Sequence, residues 1–135
     1  MPTTGDYSEK QDHIPDLKTP PVEVFENIYS GNTYSVKIDI PEFTAICPKT
    51  GLPDFGVISI EYKPAKYCLE LKSLKEYFLF YRDLGIFHEN VVNKTLDDLA
   101  HSCKPLYMKI KAIYNARGGI VTTVEREYES NPDTK

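Results

Sequence analysis

Apolar and polar positions alternate early in the chain: Tyr34, Val36, Ile38 and Ile40 are interleaved with Ser35, Lys37 and Asp39. This is the period of a half-buried strand, and Pro41 is expected to interrupt it. A second short apolar stretch, Phe43 to Ile46, leads to Cys47. Pro48, Gly51, Pro53 and Gly56 then punctuate the chain too densely for a regular element, so residues 48–56 read as a shaped loop. Val57 to Tyr62 returns to strand composition, with Ile58, Ile60 and Tyr62 on one face, and should pair with the first strand as a hairpin.

Beyond Lys66 the period changes. Ser73 to Glu76 has the S-x-x-E form of a capping box, and Leu74, Tyr77, Phe78 and Tyr81 follow at helical spacing, which predicts a helix from Ser73 to about Gly85. Val92, Leu96, Leu99 and Cys103 mark a second helix from about Glu89, ended by Pro105. Leu106, Met108, Ile110 and Ala112 then alternate as a strand, Arg117, Gly118 and Gly119 signal a turn, and a last strand runs from Ile120 to about Glu127. The order ββααββ predicts an α+β domain, an antiparallel four-stranded sheet with both helices on one face. Residues 1–32, with Pro2, Pro15, Pro20 and Pro21, read as an extended arm, 33–129 as the folded domain, and 130–135 as a fraying tail.

Composition narrows the function. A chain of 135 residues, 41% hydrophobic and 27% charged, fits one globular domain that needs no disulfide or metal to fold. No run approaches the ~20 apolar residues of a membrane span. The first twenty residues carry Asp6, Glu9, Lys10, Asp12, Asp16 and Lys18 in place of an apolar signal core, so a cytoplasmic protein is expected. Cys47, Cys68 and Cys103 are odd in number and lack C-x-x-C spacing, which predicts free thiols and no metal site. The net charge of −4 and the absence of a Lys/Arg run count against direct nucleic-acid binding and favour a small-molecule ligand.

Four segments could carry chemistry. In Cys47-Pro48-Lys49-Thr50-Gly51-Leu52-Pro53-Asp54, a thiol and a carboxylate stand at the two ends of a proline-stiffened loop, which suits a nucleophile with a proton-exchanging partner. A buried cysteine before a turn whose amides Asp54 satisfies would look the same. At Glu70-Leu71-Lys72-Ser73-Leu74-Lys75, helix amides and two lysines could meet a phosphate, or could simply be a capped helix with solvated lysines. Phe87-His88-Glu89 brings a ring, an imidazole and a carboxylate to one boundary; the carboxylate could accept two hydrogen bonds from a guanine-like edge while Phe87 stacks, or Glu89 could just favour the helix dipole. Arg117-Gly118-Gly119 most simply makes a tight turn, beside which Arg117 could reach a phosphate. Cys68 and Cys103 sit in apolar patterns and read as core.

Together, C-P-K-T-G-L-P-D at 47–54, E-L-K-S-L-K at 70–75 with Tyr77 and Phe78, F-H-E at 87–89 and R-G-G at 117–119 resemble one family, the NADPH-dependent 7-cyano-7-deazaguanine reductases, the nitrile reductases of queuosine biosynthesis. The resemblance runs from Thr33 to the last strand, with one mild departure, a leucine after Glu70 where serine is common. It implies the tunnelling fold (T-fold), whose ββααββ units associate side by side into barrels, in agreement with the element order read above. It also implies a closed homo-oligomer of pentameric rings, single or stacked as a decamer. By the same resemblance, Cys47 is the nucleophile that forms a covalent thioimide with the nitrile carbon, and Asp54 is the proton donor to the nitrile nitrogen. Two NADPH-dependent reductions then lead through an enclosed imine to 7-aminomethyl-7-deazaguanine. Glu89 recognises the guanine-like edge, His88 helps position the substrate, and Phe87 and Glu70 belong to the substrate side. Lys72, Ser73, Lys75, Arg117 and Gly118 belong to the cofactor side.

Other readings compete with this one. A non-reducing amidine synthase of the same fold would share the nucleophile but should lack E-L-K-S-L-K and show a more basic face. GTP cyclohydrolase activity would need zinc ligands for which no spacing is present. A non-catalytic deazapurine- or pterin-binding module would bind without turnover.

Overall fold

The computed structural model describes residues 11–130 of the chain. Its elements are β1 (Val24–Glu26), β2 (Val36–Ile46), β3 (Pro53–Lys63), β4 (Tyr67–Leu69), α1 (Leu71–Leu79), α2 (His88–Cys103), β5 (Tyr107–Tyr114) and β6 (Thr123–Glu129), with short 3-10 turns at Ile14–Asp16 and Phe80–Asp83. The main sheet is antiparallel in the order β2-β3-β5-β6, and β1 pairs with β4 in a separate two-stranded ribbon. This is the α+β T-fold, with the ββααββ order at its centre.

Pro41 does not end the first strand. The register passes from Ile40 opposite Ile58 to Phe43 opposite Gly56, so Pro41 and Glu42 face Val57 alone and form a β-bulge. The extra residue reverses the parity of the strand. Phe43 and Ala45 thereby take over the inward face that Val36, Ile38 and Ile40 begin. The loop after Cys47 is also shorter than expected, because Pro53 to Gly56 belong to β3 and only residues 47–52 turn. Asp54 therefore stands in a strand.

One face of the sheet carries Ile58, Ile60, Tyr62, Met108, Ile110 and Ala112, all buried, and both helices cover that face. α1 starts earlier than the S-x-x-E signal implies. Glu70 is the N-cap, its carboxylate accepting from the amides of Lys72 (2.8 Å) and Ser73 (2.7 Å), so Ser73 is an interior residue of the first turn and not the cap. The helices are tied by polar groups as well as apolar ones: the Tyr77 hydroxyl donates to Asp98 Oδ2 at 2.6 Å, and Lys94 lies 3.1 Å from the same carboxylate.

The segment before Thr33 is more than an extended arm. Ile14 is buried in the core, Lys94 Nζ donates to Leu17 O at 3.3 Å, and β1 supplies the ribbon that sequence periodicity missed, since strands of three residues are too short to show a period. At the other end the Ser130 amide bonds Leu106 O at 3.0 Å, while the rest of the expected fraying tail, 131–135, lies outside the described residues, as do residues 1–10. Among the described residues, no helix is long and apolar enough to cross a membrane. Cys47, Cys68 and Cys103 are all free thiols.

Candidate active site

Cys47 follows β2 directly, and its own turn holds it. Its amide donates to Leu52 O and its carbonyl accepts from Gly51 N, both at 2.8 Å, with Gly51 at φ +74, a conformation that suits glycine. Burial alone would raise the thiol pKa, but hydrogen bonds from the Thr50 side chain and from the Thr50 and Lys49 backbone outweigh it. The net effect is a thiol below its ordinary value, although the Asp54 charge acts against it. Burial pushes Cys103, by contrast, up to about 12, consistent with an inert core thiol.

Antiparallel pairing places Asp54 opposite Ala45, at the same end of the sheet as Cys47. Asp54 follows the parity of Gly56, Ile58 and Ile60, so its carboxylate points into the helix-covered side and is only 5% exposed. A carboxylate buried there requires compensation. Two side chains meet it, one at each oxygen: Arg117 Nη1 donates to Oδ1, and His88 Nε2 stands 3.2 Å from Oδ2. Arg117 Nη1 also donates to Pro53 O at 3.2 Å.

Arg117 reaches this position because Gly118 (φ +59) and Gly119 (φ +83) turn the chain tightly, with Arg117 and Ile120 exchanging backbone hydrogen bonds of 2.9 and 3.0 Å. His88 reaches it through a parallel bridge between Ile46 and Gly85: Ile46 N donates to Leu84 O at 2.9 Å and Ile86 N to Ile46 O at 3.0 Å. The bridge sets Phe87-His88-Glu89 alongside the end of β2 and hence beside Cys47. The imidazole then lies flat on Tyr114, with ring centroids 3.6 Å apart and planes 4° from parallel. Tyr114 fits because its partner across the ladder is Gly56, where a Cβ would stand 2.7 Å from Ile113 O and 3.2 Å from Tyr114 Cδ1. Phe87 occupies the N-cap position of α2, and Glu89 is exposed in its first turn, where the dipole favours an anion.

The structure thus gathers Cys47, Asp54, His88, Glu89 and Arg117 around one end of the sheet. The start of α1 stands apart: among the described residues no hydrogen bond or ion pair joins it to this group. The amides of Lys72 and Ser73, expected to be free for a phosphate, are taken by Glu70. The Ser73 hydroxyl donates to Glu70 O at 3.0 Å and accepts from Glu23 N at 2.8 Å, and its residue is buried. What α1 offers an anion is the pair of exposed side chains Lys72 and Lys75. Arg117 joins the carboxylate, with 38% of its side chain still exposed. Sequence reasoning missed Thr50 and Tyr114. The alternation from Met108 through Ala112 does extend to Tyr114, so its inward position was legible, but its stacking on a histidine distant in sequence was not.

Comparison with known proteins agrees with this geometry. Residues 53–133 match the family model described as QueF-like protein. The chain is 53% identical to the NADPH-dependent 7-cyano-7-deazaguanine reductase of Chlorobaculum tepidum over 83% of this chain and 96% of that protein. It is 55% identical to the protein of the same name from Chloroherpeton thalassium, covering 84% and 98%. The corresponding protein of Elusimicrobium minutum is 47% identical over 92% of this chain and 96% of its own length. In architecture the chain is similar to an archaeosine synthase, QueF-Like, in its apo form, with TM-score 0.66 and 23% identity over 73% of this chain and 96% of that one.

Proposed function

The chain belongs to the QueF-like family, among the NADPH-dependent 7-cyano-7-deazaguanine reductases, and we propose that it reduces the nitrile of 7-cyano-7-deazaguanine through a covalent thioimide on Cys47. The observation that carries this mechanism is the convergence of a thiol held below its ordinary pKa and a buried carboxylate flanked by His88 and Arg117. The Cys47 sulfur adds to the nitrile carbon, and the proton lost by the thiol is returned to the nitrile nitrogen through Asp54 and the adjacent His88. This turns a poor hydride acceptor into an electrophilic thioimide carbon. NADPH supplies hydride when bound, one equivalent at each of two stages. Between the stages, the Cys47 thiolate leaves and the carbon–nitrogen double bond reforms as an imine; the two hydrides and two protons complete the aminomethyl product. Lys72 and Lys75 suit the cofactor phosphates as exposed cations, with the outer edge of Arg117 as a third.

Glu89 is assigned to the purine edge, since an exposed carboxylate at a helix start can accept two parallel hydrogen bonds. Glu89→Ala should weaken substrate binding by about 1–3 kcal/mol for each hydrogen bond lost. Unchanged affinity by calorimetry would remove Glu89 from recognition. The outer strands β2 and β6 are the two edges of the main sheet, which supports edge-to-edge association into a closed ring, to be read by native mass spectrometry. The reaction itself is tested by following NADPH absorbance with product mass. Two equivalents oxidised per aminomethyl product are expected, and product formation without NADPH oxidation would overturn the reductase reading.

A further inference from the structure

The N-terminus of α2 carries His88 and Glu89, yet its cap residue Phe87 has no side chain able to satisfy the first amides of the helix. A residue from the far end of the chain binds the cap residue's own amide and the turn before it. Gln11 Oε1 accepts from Phe87 N at 3.3 Å and from Asn90 Nδ2 at 2.8 Å, and Gln11 Nε2 donates to Gly85 O at 3.3 Å. One carboxamide therefore spans the turn on the side opposite the Ile46 bridge, so that residues 84–87 are held from two directions. The position of Gln11 is itself fixed. Ile14, three residues on, is buried in the core, and Lys94 grips Leu17 O while paired with Asp98.

We infer that Gln11 is a positioning residue for substrate recognition: it fixes the Phe87-His88-Glu89 segment against Cys47 and Asp54, making the N-terminal segment a structural part of the active site. This rests on the assignment of His88 and Glu89 to the reductase site. Removing the carboxamide should free the turn without touching Cys47 or the lysines. Gln11→Ala is expected to speed amide hydrogen exchange in residues 84–90 by about tenfold. It should also raise KM for 7-cyano-7-deazaguanine by about three- to tenfold and lower kcat by about two- to fivefold, because His88 shares the proton route, while KM for NADPH is unchanged. Gln11→Met keeps the length of the side chain but removes both the acceptor for Phe87 and Asn90 and the donor to Gly85, so it should reproduce the alanine effects on both measures; it also decides the matter if the alanine variant folds poorly.

Wild-type exchange and KM in Gln11→Ala, or in a well-folded Gln11→Met, would overturn the inference. Equal losses for both substrates would do the same, since that pattern marks a general loss of structure. Hydrogen exchange does not depend on turnover. If the wild type neither forms an adduct nor oxidises NADPH, the functional reading fails, and the exchange of residues 84–90 alone decides whether Gln11 holds the turn.

Discussion

The Cys47–Asp54 end of the sheet and the start of α1 both announce themselves in the sequence as short charged motifs, but they close in opposite ways. At α1, Glu70 satisfies amides only two and three residues away, and Ser73 bonds back to Glu70. The motif completes itself locally and needs no fold. At the other end, Asp54 is buried and finds Arg117 sixty-three residues further along the chain, with His88 arriving from a third segment. A carboxylate that must be compensated from across the chain holds its partners in one place, and here they are the groups that the proposed mechanism uses.

The sharpest break in this contrast is Asp54→Asn. It should lower turnover by about 10²- to 10⁴-fold while the protein still folds, because the proton route is lost but the side chain's shape is kept. A fully active variant, measured by NADPH oxidation, would remove Asp54 from the chemistry. Next comes the platform under His88. Tyr114 is 2% exposed and its hydroxyl has no partner among the described residues. Tyr114→Ala should cost about 3 kcal/mol or more in urea unfolding through the cavity it leaves. Tyr114→Phe should be neutral within about 1 kcal/mol, or stabilising, because it deletes an unsatisfied polar group.

Smaller effects separate the two regions by pH. The Cys47 alkylation rate should have its midpoint below that of an unperturbed thiol, and Thr50→Ala should move it upward by removing a hydrogen bond that favours the thiolate. The Glu70 carboxyl is held below its ordinary value by the amides of Ser73 and Lys72. A carboxyl depressed in the folded state binds fewer protons there than when unfolded. Its stabilisation is therefore present above the unfolded pKa and lost as pH falls through the folded one. Glu70→Ala should flatten that acid limb of the thermal melting curve slightly and leave Cys47 alkylation unchanged.

Much of the architecture was legible because burial imposes a period. Ile58-Ile60-Tyr62 and Met108-Ile110-Ala112 declared one face of the sheet, and Val92-Leu96-Leu99-Cys103 declared a helix. The bulge at Pro41 was not, since a proline is compatible with either a strand's end or a bulge, and only the partner strand decides. Asp54 looked like a loop residue for a similar reason: Pro53 and Gly56 are turn formers locally, yet Gly56 is required in the strand by the close approach of Tyr114. At the site, the motifs named Cys47, Asp54, His88 and Arg117 individually. Their contacts, the Tyr114 stack and the Gln11 clamp depend on long-range register, which no local pattern encodes.

The central claim is that Cys47 forms a covalent adduct that the cofactor then discharges. It is tested most directly by intact-protein mass spectrometry of reduced protein with 7-cyano-7-deazaguanine and no NADPH, beside Cys47→Ala. An added mass equal to the nitrile substrate, absent from the variant and lost when NADPH is added and consumed, is the predicted result. An unmodified wild type, an adduct that survives in Cys47→Ala, or one that persists without NADPH oxidation would contradict it.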